Sequence, residues 1–579
     1  MMTWISDGLR NGLRFIANVL TRLPGPPLDY VVVDVTGSCP ERTPKPRRLI
    51  QRLMKPPWQG PDDESLEALR DRLGRIAGAA RVRGIVLRVH NLTAGMAGVQ
   101  SLREAVSEVR RCGKRVVAYV PGPDLPAYYL ALAADEIWMA EAGYWNIMGF
   151  RTEITFFREA FDRAGILPEF ERIAEFKTAA DPFVRSGLSE AHREVIESVL
   201  DSLMHEFVTD VAAARRLDPG AVQAAVDRGP LSAEDAHAAG LINGICYEDD
   251  LPARLGSPDR PVALRPWAQA RRRLPVAYRW RARRPVIGVV ELHGVIIPGE
   301  SRESPLPVPF VGGTFAGSET VARAFRAAER NPRVRAIVFH VDSRGGSELA
   351  SNLIWREVER IKAKKPVVAF MGNVAGSGGY YVACGASRLI AQPATITGSI
   401  GVVSGKLTAR GLYGRLGLNR EVVARGEAAT IESAFQPFTP EQFERVRREI
   451  QAIYRRFIGK VAAGRGKSEA EIEGIARGRV WTGRQALERG LVDELGDFTL
   501  AVRRARELAG IPAAQDVTTL TIRPPQAMSV PSAARAMAEV IGLASGARAL
   551  VEIVDAWHAV RDLARERVLL IMPDVGDVL

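Results

Sequence analysis

Arg81-Val82-Arg83-Gly84-Ile85-Val86 and Arg333-Val334-Arg335-Ala336-Ile337-Val338 match one another 252 positions apart. Working outward, Arg115-Val116-Val117-Ala118-Tyr119 aligns with Pro366-Val367-Val368-Ala369-Phe370 at an offset one shorter. The 252 offset then returns for Tyr128-Tyr129 with Tyr380-Tyr381 and for Gly149 with Gly401. Further on, Leu231 to Gly244 resembles Trp481 to Glu494. A near-constant offset over so long a stretch marks a duplication, and it decides the architecture. In each copy a short β-branched run of the kind buried in a parallel sheet (Ile85–Val89, Ile337–Val341) is followed by a Gly-containing turn and an amphipathic helix. The next strand follows, at Val116–Val120 and Val367–Phe370. Strand alternating with helix predicts βα units with right-handed crossovers, hence an α/β fold in each copy.

The terminal segments fall outside the repeat. Ile5, Leu9, Leu13, Ile16 and Leu20 recur at helical spacing, with Arg10, Arg14 and Arg22 off the stripe. This predicts an amphipathic helix, lying either in a membrane interface or docked on protein, and ended by Pro24, Pro26 and Pro27. Its arginines interrupt any signal-peptide core, and no run of about 18 apolar residues suggests a transmembrane helix. The expected divisions are 1–28 (amphipathic helix), 29–255 (first repeat), 256–285 (basic linker), 286–510 (second repeat) and 511–579 (a C-terminal extension with a helix over Ala544–Leu570). The linker carries eight arginines between Arg265 and Arg284, with Trp267, Tyr278 and Trp280 among them. It reads either as a solvated spacer or as a surface for an anionic partner.

At 579 residues, 46% hydrophobic and 25% charged, the chain has the composition of a multi-domain globular protein and is neither disordered nor fibrous. Its net charge of +12 predicts an anionic partner, and the placing of that charge in the linker and N-terminal helix favours a membrane surface over nucleic acid. Cys39, Cys112, Cys246 and Cys384 form no CxxC, so neither a zinc site nor a disulfide scaffold is indicated. HExxH fails at Thr209, and the near P-loop ending Gly466-Lys467-Ser468 has Val461 where its first glycine belongs. No metal or cofactor is therefore expected.

The chemistry-bearing stretch is Gly372-Asn373-Val374-Ala375-Gly376-Ser377-Gly378-Gly379-Tyr380-Tyr381, directly after a strand of the second copy. Small residues let the chain turn sharply, and a helix starting at Gly378 would aim unpaired N–H groups at the Ser377 oxygen. That suits a nucleophile beside an oxyanion site; the alternative is a serine that merely caps the helix. At the 252 offset Ser377 faces Leu125 in the first copy, so the serine is not a requirement of the fold. Of seven histidines only His558 follows Ser377, and Ala375 breaks the GxSxG elbow, so a histidine base is poorly supported. A desolvated lysine can serve instead. Lys177 lies among Phe176, Ala179, Ala180 and Phe183, and Glu432 stands opposite it in the second copy. One copy has the lysine and the other the serine, as one shared site would leave them. Asp181, four residues on, would raise the lysine pKa if the two met on one helix face.

Gly376-Ser377-Gly378-Gly379-Tyr380-Tyr381 together with Phe176-Lys177-Thr178-Ala179 resembles the signal peptide peptidase A family in its long, tandem-domain form. Asp342-Ser343-Arg344-Gly345-Gly346-Ser347, Thr397-Gly398-Ser399-Ile400-Gly401 and Val480-Trp481-Thr482-Gly483 support the match, which runs from about residue 30 to 510. The resemblance implies two tandem Clp-protease/crotonase-like domains built on a repeated ββα superhelix, with helical terminal extensions. It implies a serine endopeptidase with a Ser–Lys dyad, acting on cleaved signal peptides or other apolar peptides as a homotetramer at the bacterial inner membrane, on the periplasmic face. Without a recognisable anchor a cytoplasmic location stays open. Position by position, Ser377 is the implied nucleophile, Lys177 the general base, Ser399 the residue orienting the lysine, and Gly346 and Gly378 the oxyanion amides. Arg344 stands where the family has proline, placing a guanidinium beside that site. A crotonase-type acyl-CoA enzyme and a catalytically silent membrane-associated scaffold are the competing readings.

Overall fold

The computed structural model describes residues 8, 11–16, 18–19, 27–43, 64–276, 284–308, 312–523 and 568–572. The chain divides into two compact units, one of Met1–Phe150 with Leu203–Arg284 and the other of Arg151–Ser202 with Pro285–Val578.

In the first unit, β1 (Tyr30–Gly37), α1 (Leu66–Ala77), β2 (Gly84–Leu92), α2 (Met96–Arg111), β3 (Arg115–Tyr119), α3 (Leu125–Ala131) and β4 (Glu136–Met139) alternate as the repeat predicts. The strands pair in the order β4-β3-β2-β1, all parallel, with Gly244–Ile245 and Leu264–Pro266 completing the two edges. The valines of β1 are buried on both faces, as a covered parallel sheet requires. In α1 the Ser65 hydroxyl accepts from the Ala68 amide, and Leu66, Leu69, Leu73 and Ile76 bury one stripe on the sheet. Each such side chain contributes about 1.5–3 kcal/mol on burial.

The second unit opens with β5 (Leu167–Ile173) and continues through β6 (Val286–His293), β7 (Val295–Ile297), β8 (Val334–Ser343), β9 (Gly345–Ser347), α4 (Glu348–Lys362), β10 (Val367–Gly376), α5 (Gly378–Ala383), β11 (Arg388–Ala391), β12 (Ile396–Gly398), β13 (Val402–Thr408), β14 (Val480–Thr482), β15 (Thr518–Thr521) and β16 (Val568–Ile571). One sheet runs β14-β12-β10-β8-β6-β15, with β11 also beside β10. Its β6, β8 and β10 are parallel. A second sheet, nearer the glycine-rich segments, includes the path β7-β9-β16-β13-β5. The strand β10 splits: Val368–Met371 pair with β11 and Val374–Gly376 with β12. That divergence leaves room for the turn that follows.

Hydrogen bonds repeat with the sequence. The Tyr128 hydroxyl donates to the Leu241 carbonyl at 2.8 Å, and Tyr380 to Leu491 at 2.8 Å. Arg215 Nε donates to Gly240 O at 2.9 Å, and Arg465 Nε to Gly490 O at 2.8 Å. The Asn243 side chain accepts from the Ile137 amide, and Asp493 from that of Leu389. Buried polar groups need partners, so the duplicated sequence carries the same pairings into both units.

The α/β class expected from the sequence is what both units show. The folded division is not the same as the division by repeat, because residues 151–202 pack with the second unit. β5 is the cause: it lies antiparallel to β13 over its whole length, from Leu167↔Thr408 to Ile173↔Val402. The expected C-terminal helix needs correcting. Its last part, Val568–Leu570, belongs to a strand (Val568–Ile571) held between two others; residues 544–567 lie outside the described residues. Of the N-terminal helix, residues 11–16 and 18–19 are described and helical, while Ile5, Leu9 and Leu20 fall outside.

Candidate active site

Ser377 sits at the junction of β10 and α5, with φ +53° and ψ −113°. A side chain in that region is strained, and the surroundings hold it there: its amide donates to Gly398 O at 2.8 Å and its carbonyl accepts from the Tyr381 amide at 2.8 Å. The turn fits because its neighbours are glycines. A Cβ on Gly379 would stand 2.5 Å from the Ser343 carbonyl oxygen, and one on Gly378 only 3.0 Å from Gly345 Cα. The helix-cap alternative fails on geometry, since the Ser377 side chain makes no capping bond to α5. Asp124, at the start of α3, does cap its helix, accepting from the Ala127 amide. The first copy thus enters its helix through an ordinary extended cap at φ −83°, and the second through the strained Ser377.

The Ser377 Oγ lies instead 2.7 Å from Lys177 Nζ. Lys177 follows β5 by four residues, so the pairing of β5 with β13 carries it to the serine. Its backbone packs on Gly478, where a Cβ would meet the Lys177 amide nitrogen at 2.4 Å, and its Cδ packs on Gly401. Nζ also reaches the Ser399 carbonyl oxygen and the Ser399 Oγ, each at 2.9 Å. Ser399 is itself held at φ +51°, with its amide on Arg479 O. All three side chains are fully buried.

Burial pushes the Lys177 amine well below its ordinary range. Nζ thus has three oxygen partners, which match the three donors of an ammonium, whereas a neutral amine has two N–H donors and one lone pair. Once the amine is neutral, its two donors suit the Ser399 oxygens and its lone pair is free to accept the Ser377 hydroxyl proton. Asp181 does not undo this. Residues 178–180 form a single 3₁₀ turn instead of a shared helix face, and the Asp181 oxygens accept from Arg172 at 2.7 Å and Ser189 at 2.7 Å.

Gly346 lies in β9 and Gly378 is the first residue of α5. Gly346 has φ +155°, and a Cβ there would be 2.1 Å from Ile296 O. A Cβ on Gly345 would be 2.7 Å from the Gly378 amide nitrogen, so glycine there lets β9 approach the start of α5 closely. Arg344, just before this strand, is half-buried. Among the described residues, Glu291, His293 and His340 form a separate group whose ligand atoms lie within 4.8 Å of one another.

Residues 108–258 and 359–512, more than half of the chain, match peptidase family S49, one segment in each sequence repeat. The chain belongs to peptidase family S49. It is 31% identical over 472 residues to the chloroplastic serine protease SPPA of Arabidopsis thaliana, covering 80% of this chain and 68% of that one. It is 31% identical over 443 residues to Protease 4 of Haemophilus influenzae (74% and 70% of the two chains). To Protease 4 of Salmonella typhi it is 32% identical over 445 residues (74% and 69%). The protein is thus a serine peptidase of the S49 family, and its α/β units agree with the Clp-protease-like arrangement that the sequence resemblance implied.

What the sequence did not disclose is the glycine packing on the lysine, at Gly401 and Gly478, and the use of Val568–Ile571 as a strand beside Gly345 and Gly346. The signal for the strand was present in Val568-Leu569-Leu570-Ile571-Met572, an apolar run stopped by Pro573. It reads equally as the end of a helix.

Proposed function

We propose that Ser377 and Lys177 are the nucleophile and general base of an endopeptidase that degrades apolar peptides, cleaved signal peptides among them, at a membrane surface. The observation that carries this reading is the 2.7 Å contact between a fully buried Ser377 Oγ and a Lys177 amine whose pKa burial pushes well below its ordinary value. Lys177 takes the Ser377 proton during attack on the substrate carbonyl and returns it to the leaving amine. Ser399 orients the amine. The Gly346 and Gly378 amides donate to the oxyanion, where the loss of one donor costs about 3–4 kcal/mol in comparable hydrolases. Arg344 influences which substrates enter.

Membrane contact is supported by the N-terminal helix. Leu13, Phe15 and Ile16 are 63%, 60% and 57% exposed, while Asn18 exchanges hydrogen bonds with the Val276 backbone. An anchored helix with its apolar residues facing outward suits a lipid interface, and no described helix is long and apolar enough to cross a membrane. The working assembly is a homotetramer, and the location the inner membrane of a bacterium, on its periplasmic face.

The deciding experiment is labelling by a fluorophosphonate. Stoichiometric modification of Ser377, lost in Lys177→Ala, is the expected result. Undiminished peptide cleavage by Ser377→Ala refutes the assignment. Flotation with anionic liposomes that is unaffected by deleting residues 1–24 refutes the membrane role of the helix, and light scattering tests the tetramer.

A further inference from the structure

The carboxyl ends of β6 and β8 bring three metal-ligating side chains together. In register, Glu291 pairs with His340 and His293 with Asp342. Side chains two apart on a strand share a face, so all four lie on one side of the sheet. The His293 and His340 rings meet edge to face, with centroids 4.7 Å apart and planes at 82°. Glu291 Oε1 is 3.5 Å from His293 Nε2. One ligand atom from each of Glu291, His293 and His340 lies within 4.8 Å of the other two. His340 is buried, with Phe370 and Phe498 as ring neighbours, while Glu291 and His293 are half-buried and leave a way in from solvent. No HExxH or CxxC spacing marks the group, because its members come from two strands.

Two imidazoles and one carboxylate suit a late first-row divalent ion, since magnesium and calcium prefer oxygen ligands alone. Zinc takes four ligands, and a set of two histidines and one glutamate leaves the fourth position to water. Around an ion bound at about 2.1 Å, the three ligand atoms would stand about 3.4 Å apart. Small χ rotations close the difference from the present spacing, since the paired strands already fix the three backbones. Asp342 belongs to the surroundings and not to the ligand set. Its two carboxylate oxygens accept from the Asn373 and Val374 amides at 3.3 and 3.2 Å. A carboxylate beside His293 favours a cation there.

We propose that Glu291, His293 and His340 form a zinc site that clips the ends of β6 and β8 together. What lies directly beyond those ends gives the clip its consequence. The Gly294 amide donates to Asp342 O at 2.9 Å, and Ser343 Oγ donates to Gly294 O at 2.5 Å. From Ser343 the chain continues through Arg344 into β9, and Asp342 holds the stretch of β10 that leads to Ser377. A bound ion therefore stabilises the framework under the catalytic turn without entering the Ser–Lys chemistry, and the inference stands apart from that reading. The unfolded chain has no such preformed site, so zinc binds the folded protein preferentially and raises its thermal midpoint.

Calorimetric titration of the full-length, chelator-treated protein with zinc chloride tests this. One zinc per chain is expected, bound at micromolar concentration or tighter, with a raised thermal midpoint; magnesium chloride should do neither. Cobalt(II) should give the visible bands of a four- or five-coordinate site with nitrogen ligands. Glu291→Gln, His293→Gln and His340→Phe each remove one ligand at similar size. Each should weaken zinc by about a hundredfold or more and abolish the cobalt bands, with circular dichroism confirming the fold. Cys112→Ser, which removes the exposed thiol, should bind as wild type does. Wild-type protein without saturable zinc binding overturns the inference, as does an equal midpoint shift with magnesium. So do folded ligand variants that bind as tightly as wild type, or loss of binding in Cys112→Ser. A cobalt spectrum of a six-coordinate, all-oxygen site overturns it as well and needs no variant. Fluorophosphonate labelling needs no zinc, so a failure of the Ser–Lys reading shows there separately.

Discussion

Replacing Ser399 by aspartate tests the lysine as base without touching either member of the dyad. Ser399 Oγ is 2.9 Å from Lys177 Nζ, so a carboxylate on the same backbone would bring a full negative charge to about 4 Å from the amine. The backbone at φ +51° is one that aspartate and asparagine tolerate. At an effective dielectric near 20 the attraction is about 4 kcal/mol, or about three pKa units in favour of the ammonium. In the wild type, burial holds the Lys177 pKa down, so the amine is neutral and active above that lowered value. Activity is lost as pH falls through it, tenfold per unit once the ammonium dominates. Ser399→Asp should move this limb about three units to higher pH. At a pH on the wild-type plateau, kcat/KM would then fall by up to about a thousandfold, with recovery on further alkalinisation. Ser399→Asn supplies the uncharged control of nearly equal size, and its limb should stay in place. The assay is the pH dependence of kcat/KM for a fluorogenic peptide, with circular dichroism to confirm folding. An Asp variant whose limb coincides with that of the Asn variant refutes the assignment of the titrating base to Lys177.

Gly478→Ala should lower kcat by an order of magnitude or more, because its Cβ would meet the Lys177 backbone at 2.4 Å and φ is +82° there; a kcat equal to wild type in steady-state assays would show that the lysine tolerates the shift. Gly379→Ala should destabilise the start of α5, since its Cβ would stand 2.5 Å from Ser343 O, and a lowered thermal midpoint is the readout. Tyr128→Phe and Tyr380→Phe should each cost about 1–3 kcal/mol by stranding a buried carbonyl, read as lowered thermal midpoints. Equal midpoints for wild type and both variants would contradict the shared hydrogen-bond scheme.

The alternation of strands and helices was legible because burial on both faces of a parallel sheet writes itself as β-branched runs, as in Ile85–Val89 and Ile337–Val341. The serine was legible for a different reason. Gly376, Gly378 and Gly379 record how closely backbone approaches backbone at the turn, and the missing serine in the first copy removed the packing explanation. The packing of Lys177 was only half legible. Its apolar neighbours announced desolvation, but the nearby Asp181 carried the opposite implication until its bonds to Arg172 and Ser189 were seen. Val568–Leu570 was misread as the end of a helix, because a short apolar run has no periodicity of its own to separate strand from helix.

By itself the sequence determined the duplication, the α/β class of each copy and the chemical types available at the site. Those properties follow from local periodicity and from residue identity, which are present before folding. Tertiary structure alone decided that the lysine of one repeat folds into the same compact unit as the serine of the other. Hydrogen bonds between β5 and β13, strands more than 200 positions apart, bring them together, and local patterning carries no record of pairing at that range. It also decided that the Leu570 carbonyl oxygen rests against Gly345 and Gly378, a matter of register between β9 and β16 that one residue of slippage would change.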